Sequence, residues 1–192
     1  ALLKSAKLIF PMLIFSVFFA EPIMTCMYGD IYAQSSIYFV IKNLSGLFYI
    51  IPFYPIILAI GKTNSYANAH MIAAFMIVIA EYVVCKTFDS AVYVAITSEL
   101  CNLVKIWLLL RVIANYAHMK ITELLPPKPM TILIMISALA SLPPFLLLDF
   151  LNMNKFIVLF VCLGFFLVDY YVLCWICKVT YRDIAGGFLK NK

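Results

Sequence analysis

The sequence predicts an all-α polytopic membrane protein, a bundle of about six transmembrane helices. Its residues are 66% hydrophobic and only 12% charged, and its mean hydropathy is +1.05. This composition excludes a soluble domain and a disordered chain. In lipid every backbone N–H and C=O must be bonded within the protein, which leaves helical bundles and closed barrels. Because the apolar runs do not alternate with polar residues as barrel strands do, we predict helices.

Six apolar blocks are each long enough to cross a hydrocarbon core of ~30 Å, which takes about 20 helical residues. We predict spans at 8–27, 37–60, 67–85, 91–115, 130–148 and 156–177. If both ends of the segment are cytoplasmic, Lys86 and Lys155 are the only basic residues in outside segments. This positive-inside bias predicts that both termini of the segment are cytoplasmic. The basic residues form no single patch, so the net charge of +5 does not indicate nucleic-acid binding.

The longest polar connection, residues 118–129, ends in a proline cluster that stops the fourth helix. We therefore divide the chain into residues 1–115, a cytoplasmic Pro-rich loop at 116–129, and a further helix pair with a basic tail at 130–192. The chain begins at Ala1 and shows no signal-peptide cleavage site, so we expect it to be part of a longer protein. Prolines inside three spans indicate either the kinked helices of a transporter or the ordinary frequency of proline in membrane helices. They are Pro11, Pro22, Pro52, Pro55, Pro143 and Pro144.

Charged residues inside the apolar blocks are the candidate functional residues, because charge at that depth is costly and marks function by default. They are Glu21, Lys42, Glu81, Glu99, Lys105 and Asp169. Helical spacing of about 100° per residue places Ser98, Asn102 and Lys105 on one stripe of the fourth span, with Glu99 at its edge. Such a stripe either packs closely against another helix or lines a hydrated cavity.

The remaining charges have competing interpretations. Lys42 either attracts an anionic group or extends to the outer interface. Glu81 is protonated, paired with a lysine on a neighbouring helix, or part of a proton or cation relay. Glu21 and Arg111 are expected near the interfaces, and Asp169 is expected to accept hydrogen bonds from the adjacent Tyr170 and Tyr171.

No catalytic or cofactor motif is present in the sequence. His70 and Cys85 lie about 22 Å apart along one predicted helix, too far for a nucleophile and its base. Cys174 and Cys177 have CxxC spacing without a second pair, and we interpret them as packing residues. We expect no enzyme activity, cofactor or metal. A membrane-embedded acyl- or glycosyltransferase is an alternative, with His118 and Asp183 as its available catalytic residues, and a structural subunit is another.

Three segments together resemble bacterial polysaccharide flippases of the multidrug/oligosaccharidyl-lipid/polysaccharide exporter superfamily. The first combines Phe10-Pro11 with Ala-Glu-Pro-Ile-Met at 20–24 and Tyr-Gly-Asp-Ile-Tyr-Ala-Gln-Ser at 28–35. The second is Pro-Ile-Ile-Leu-Ala-Ile-Gly-Lys-Thr at 55–63, similar to an "LxAxGK" helix end. The third is Tyr-Val-Ala-Ile-Thr-Ser-Glu-Leu at 93–100, similar to "AxATxxxE". Asp89-Ser90-Ala91 departs from the family, which usually has glycine before this helix.

The resemblance implies that residues 1–115 are the last four helices of the second six-helix lobe of an alternating-access transporter. Family members flip undecaprenyl-pyrophosphate-linked oligosaccharide across the bacterial inner membrane for polysaccharide (O-antigen) export. The implied partners are this lipid-linked substrate, membrane lipids and a polysaccharide polymerase. Basic cavity residues meet the pyrophosphate, a role that would fall on Lys105, Lys42 or Arg111.

From these features we predict a flippase site. Lys105, Lys42, Asn102 and Ser98 would bind substrate, while Glu99 and Glu81 would couple transport to an ion gradient. A drug or metabolite:cation antiporter of the same superfamily is the main alternative, and a more acidic cavity would distinguish it.

Overall fold

The computed structural model describes residues 2–49, 51–125, 127–148 and 154–177. These residues form α-helices and one 3₁₀ helix, and none of them lies in a strand, so the predicted all-α class is confirmed. The elements are α1 (Leu2–Phe18), α2 (Ala20–Tyr28), the 3₁₀ helix (Asp30–Ser35), α3 (Ser36–Gly46), α4 (Phe53–Ala59), α5 (Thr63–Thr87), α6 (Ala91–Ala117), α7 (Ile121–Leu124), α8 (Pro127–Leu147) and α9 (Lys155–Ile176). The chain divides into two compact units, residues 1–36 with 128–192 and residues 37–127. Asp183 and the basic tail lie outside the described residues.

Helices α5, α6, α8 and α9 are each long and apolar enough to cross a membrane. They confirm four of the predicted spans. A fifth crossing is formed if the pair α1 and α2 counts as one span, although it is bent by 78°. The continuous helix predicted for residues 8–27 is therefore wrong at the bend. Pro22 explains it, because a proline ring crowds the carbonyl four residues earlier, here that of Phe18 at the end of α1.

The continuous span predicted for residues 37–60 is also wrong. Helix α3 ends at Gly46, and α4 begins only at Phe53. Pro52 carries no N–H for a helical hydrogen bond and disfavours helical geometry at the residue before it. Pro55 is tolerated because it lies in the first turn of α4, where the N–H has no helical partner. Local proline chemistry thus outweighs the apolar composition of this block.

The core of the first unit is aromatic and is built from helices α1, α8 and α9 with the α1–α2 junction. Phe19 and Phe166 are fully buried. The ring of Phe15 stacks on Phe19 with a centroid distance of 4.3 Å and meets Phe166 at 5.0 Å. Of the two C-terminal cysteines, Cys174 belongs to this core, whereas Cys177 is exposed at the end of α9.

A second link holds α1 against α9. Pro11 lies inside α1 and cannot supply the N–H that the Lys7 carbonyl would receive in a regular helix. The hydroxyl of Tyr170, itself 5% exposed, donates to that carbonyl at 3.1 Å. The expected hydrogen bond from Tyr170 to Asp169 is therefore replaced by one that satisfies the proline-freed carbonyl.

Candidate functional site in the α5–α6 hairpin

Helices α5 and α6 form an antiparallel hairpin joined by residues 88–90. They share more contacts than any other pair of described elements. The 25 residues of α5 make it about 37 Å long, enough to cross the bilayer. Glu81 and Ser98 lie about 10 Å from the connected end, which places them within the hydrocarbon layer. The hairpin therefore carries polar side chains at membrane depth.

Glu99 of α6 is the centre of a cluster of hydrogen bonds. The Lys42 ammonium of α3 lies 2.7 Å from Glu99 Oε1, and the Asn102 amide donates to Oε2 at 3.2 Å. The hydroxyl of Tyr49 in turn donates to Asn102 Oδ1 at 2.9 Å. Ser45 also lies beside Glu99. Both carboxylate oxygens are thus held, and the cluster joins α6 to α3 and the turn that follows α3.

Helical spacing explains why α6 supplies two members of this cluster. Residues three positions apart lie on the same side of a helix, so Asn102 reaches Glu99 from one turn further on. Asn102 is only 8% exposed and lies on the buried face of α6. A buried amide needs partners for its oxygen and its nitrogen, and Tyr49 and Glu99 provide one each.

A second polar contact crosses the hairpin directly. The hydroxyl of Ser98 on α6 donates to the carboxylate of Glu81 on α5. Ser98 directly precedes Glu99 in the sequence, so this contact lies at a similar height along α6 to the Glu99 cluster. Five of the six predicted site residues thus fall into two groups of contacts, Lys42 with Glu99 and Asn102, and Ser98 with Glu81. Lys105 belongs to neither group.

Lys105 lies further along α6. It is six residues past Glu99, a rise of about 9 Å. Lys105 interacts electrostatically with His70 of α5. Within the described part of the chain it makes neither an ion pair nor a hydrogen bond. Lys105 is half-buried, so it extends the polar side of α6 as a separate positive charge.

Exposure separates the two interpretations of the α6 stripe. Asn102 packs, as expected for a helix interface. The side chain of Lys42 remains 72% exposed although its partner Glu99 is 14% exposed. A cation with an open side at this depth requires water or another polar group beside it, because an unsolvated charge in hydrocarbon is costly. The stripe is thus packed at Asn102, which bonds Tyr49, whereas the neighbouring Lys42 of α3 stays open.

Sequence reasoning assigned no role to Tyr49 or Ser45. Helical spacing in the predicted span places Tyr49 on the face of Lys42, although α3 ends at Gly46 and Tyr49 lies in the turn that follows. Arg111 lies apart from the cluster, over the ring of Trp107 at 5.1 Å. The ring of His70 lies tilted against that of Tyr66, with the ring centroids 4.4 Å apart. Among the described residues no three His, Cys, Asp or Glu side chains are grouped as metal ligands.

In this arrangement the Lys42 ammonium can exchange one anionic partner for another. Lys42 can bind an incoming anion in place of Glu99, while the two carboxylates can hold a proton or a cation. No protein family, curated protein or solved structure matches this chain.

Proposed function

We propose that this chain is part of a flippase that moves undecaprenyl-pyrophosphate-linked oligosaccharide across the bacterial inner membrane by alternating access. The open side of Lys42 at membrane depth is the observation that carries the proposal. An ammonium held by one carboxylate and otherwise uncovered suits a substrate with a negatively charged diphosphate. In this proposal no bond is broken, so the protein is not an enzyme.

The resemblance of residues 1–115 to polysaccharide flippases supports the substrate class. The interrupted pair α3 and α4 and the bent pair α1 and α2 also suit a transporter, since broken helices are common at transport sites. In the proposed orientation both ends of the segment are cytoplasmic. This orientation requires that α3 and α4 together cross the membrane once, as two parts of one interrupted span. This topology keeps the positive-inside bias of the loops.

The proposed mechanism is an exchange at Lys42. The diphosphate displaces Glu99 from the ammonium, and protonation of Glu99 favours this step because it removes the competing negative charge. Ser98 and Asn102 offer hydroxyl and amide groups to the substrate, and Lys105 provides a second cation about 9 Å further along α6. Glu81 and Glu99 carry the coupling ion, so that substrate and ion alternate on one set of residues.

A reconstituted flipping assay tests the proposal. The full chain, with any further part of its gene product, is placed in proteoliposomes containing fluorescent lipid-linked oligosaccharide, and the rate of its movement between leaflets is measured. Loss of a charge-assisted contact of about 1.5–3 kcal/mol predicts that Lys42→Ala slows flipping about 10- to 100-fold. Lys42→Arg should retain most of the rate, because the positive charge remains.

Lys86→Ala is the matched control. Lys86 is also an exposed membrane-helix lysine, but it lies at the connected end of α5, over the ring of Tyr82. Its removal should leave flipping unchanged. Full flipping by both Lys42→Ala and Lys105→Ala proteins, at wild-type protein levels, would exclude the proposed site.

A drug or metabolite:cation antiporter is the second candidate, favoured by two carboxylates, Glu81 and Glu99, at a similar height along the α5–α6 hairpin. The two functions predict opposite effects of one substitution. Lys42→Ala removes the charge that repels a cationic substrate, so cation uptake should rise or stay constant, whereas flipping of an anionic lipid should fall. Glu99→Gln should abolish transport by an antiporter, whereas in a flippase it should impair ion coupling but leave the binding of diphosphate to Lys42 intact.

A further inference from the structure

The open end of the α5–α6 hairpin holds a second polar site, well away from Glu99. Here the start of α5 lies beside the end of α6, and the two helices leave a depression of about 460 Å³. A smaller depression of about 250 Å³ continues along the same groove and shares Ser65, Val112 and Asn115 with the first. Arg111 lies 12 residues from Glu99, about 18 Å along α6. The groove is therefore separate from the proposed transport site.

The lining of this groove is basic and rich in hydrogen-bond donors. Lys62 and His118 line the larger depression, and Arg111 lines the smaller one. Ser65, Asn68, Asn115 and Tyr116 supply hydroxyl and amide groups. Among the described residues that line either depression, none is acidic. Lys62 and Arg111 also form no ion pair within the described part of the chain.

Two backbone turns bring these groups together. Gly61 adopts a φ of 69°, which reverses the chain directly before Lys62 and the start of α5. His118 ends α6 in the left-handed conformation, with a φ of 52°. Lys62 and His118 are thereby fixed at opposite sides of one depression.

The depth of the groove matches the lipid headgroups. Because α5 is about 37 Å long and the hydrocarbon core is ~30 Å thick, the ends of the hairpin extend beyond the hydrocarbon layer. Tyr116 supports this placement, since it is exposed at the end of α6 and tyrosine is enriched at the membrane interface. A volume of several hundred Å³ is within the range of ligand pockets.

We infer that this groove binds a phosphate group, that of an anionic phospholipid headgroup or of a soluble phosphate. The guanidinium of Arg111 and the ammonium of Lys62 pair with the phosphate oxygens, and the hydroxyl and amide groups of the groove complete the hydrogen bonding. Basic pockets between membrane helices recognise anionic lipid headgroups in this way. The site adds phosphate recognition to the chain independently of its transport activity.

Native mass spectrometry of the purified full chain tests the inference. Dioleoyl phosphatidylglycerol is the anionic probe, dioleoyl phosphatidylcholine is the zwitterionic comparison, and inorganic phosphate is titrated in a parallel arm. We expect the wild-type protein to retain phosphatidylglycerol preferentially. Lys62→Gln and Arg111→Gln should each weaken that binding about tenfold, because each removes one charge-assisted contact.

Lys86→Gln is the control, since Lys86 is an exposed lysine at the opposite end of α5 from Lys62 and, like Arg111, lies over an aromatic ring. It should change phosphatidylglycerol binding less than about twofold, as expected for an exposed charge outside the site. If inorganic phosphate binds but phosphatidylglycerol shows no preference, and Lys62→Gln removes the phosphate binding, the site is supported with a soluble ligand. Equal losses in Lys86→Gln and Lys62→Gln, or no binding of either probe, would overturn the inference.

Discussion

Replacing Tyr170 by phenylalanine tests how the protein accommodates a proline inside a membrane helix. Pro11 denies the Lys7 carbonyl its helical N–H, and the Tyr170 hydroxyl donates to that carbonyl at 3.1 Å. Tyr170→Phe removes only this hydroxyl from a side chain that is 5% exposed, so the surrounding packing is retained. Any loss of stability should therefore reflect the interactions of the hydroxyl and not the packing of the ring.

The expected cost is about 1.5 kcal/mol. Leaving a buried acceptor unsatisfied costs about 1–3 kcal/mol, whereas hydrogen bonds between membrane helices average about 0.6 and reach about 1.7 kcal/mol. The upper part of the range for membrane proteins applies because Pro11 has no N–H to replace the Tyr170 hydroxyl as donor to the Lys7 carbonyl. In a Pro11→Ala background the helical N–H is restored, and the same substitution should cost less than about 0.5 kcal/mol.

The assay is reversible unfolding of the purified protein in mixed micelles with increasing sodium dodecyl sulfate, followed by circular dichroism. Four proteins complete the cycle: wild type, each single variant and the double variant. Tyr171→Phe is the matched control because its side chain is 66% exposed and should change stability little. An equal cost of Tyr170→Phe in both backgrounds would refute the argument that it compensates for Pro11.

Three further substitutions test other parts of the structure by the same unfolding assay. Asn102→Ala should lower the free energy of unfolding by about 1–3 kcal/mol, because the buried amide bonds both Tyr49 and Glu99. Asn43→Ala loses a bond only within its own helix and should cost less. A larger loss for Asn43→Ala than for Asn102→Ala would contradict the proposed cluster. Phe166→Ala should lower the free energy of unfolding by about 3–5 kcal/mol because the ring is fully buried. Phe165→Ala is the control because that ring is half-exposed, and an equal loss in both variants would show that burial does not set the effect. Lys155→Gln removes an exposed ion pair with the 3₁₀ helix and should cost less than about 1 kcal/mol, so a larger loss would mean that the contact is more than a surface pair.

The polar face of α6 could be predicted from the sequence because helical periodicity is a local property. The spacing of Ser98, Asn102 and Lys105 predicts one face of α6 without knowledge of its neighbours. Which residues meet that face depends on how other helices pack, and periodicity carries no such information. The pairing of Glu99 with Lys42, 57 residues away in the chain, is visible only in the folded structure.

The breaks in the helices show a different limit. Apolar composition predicted continuous crossings at 8–27 and 37–60, but composition does not describe backbone hydrogen bonding. Three prolines inside predicted spans affect the helix differently. Pro11 stays within a helix, Pro22 lies just past a 78° bend, and Pro52 directly precedes a new helix. For Pro11 the outcome is linked to Tyr170, which replaces the lost hydrogen bond from another part of the chain.

The sequence by itself determined that the chain is an all-α membrane protein and that its functional candidates are the few charges inside apolar helices. Both follow from the free-energy cost of placing unbonded backbone groups or charges in lipid, because that cost does not depend on which helices lie next to one another. Only the tertiary structure decided which charges meet, that Lys42 stays open while Glu99 is held on both oxygens, and that Lys62, Arg111 and His118 line one groove. These features depend on contacts between residues far apart in sequence, and such contacts are set by packing of the whole unit.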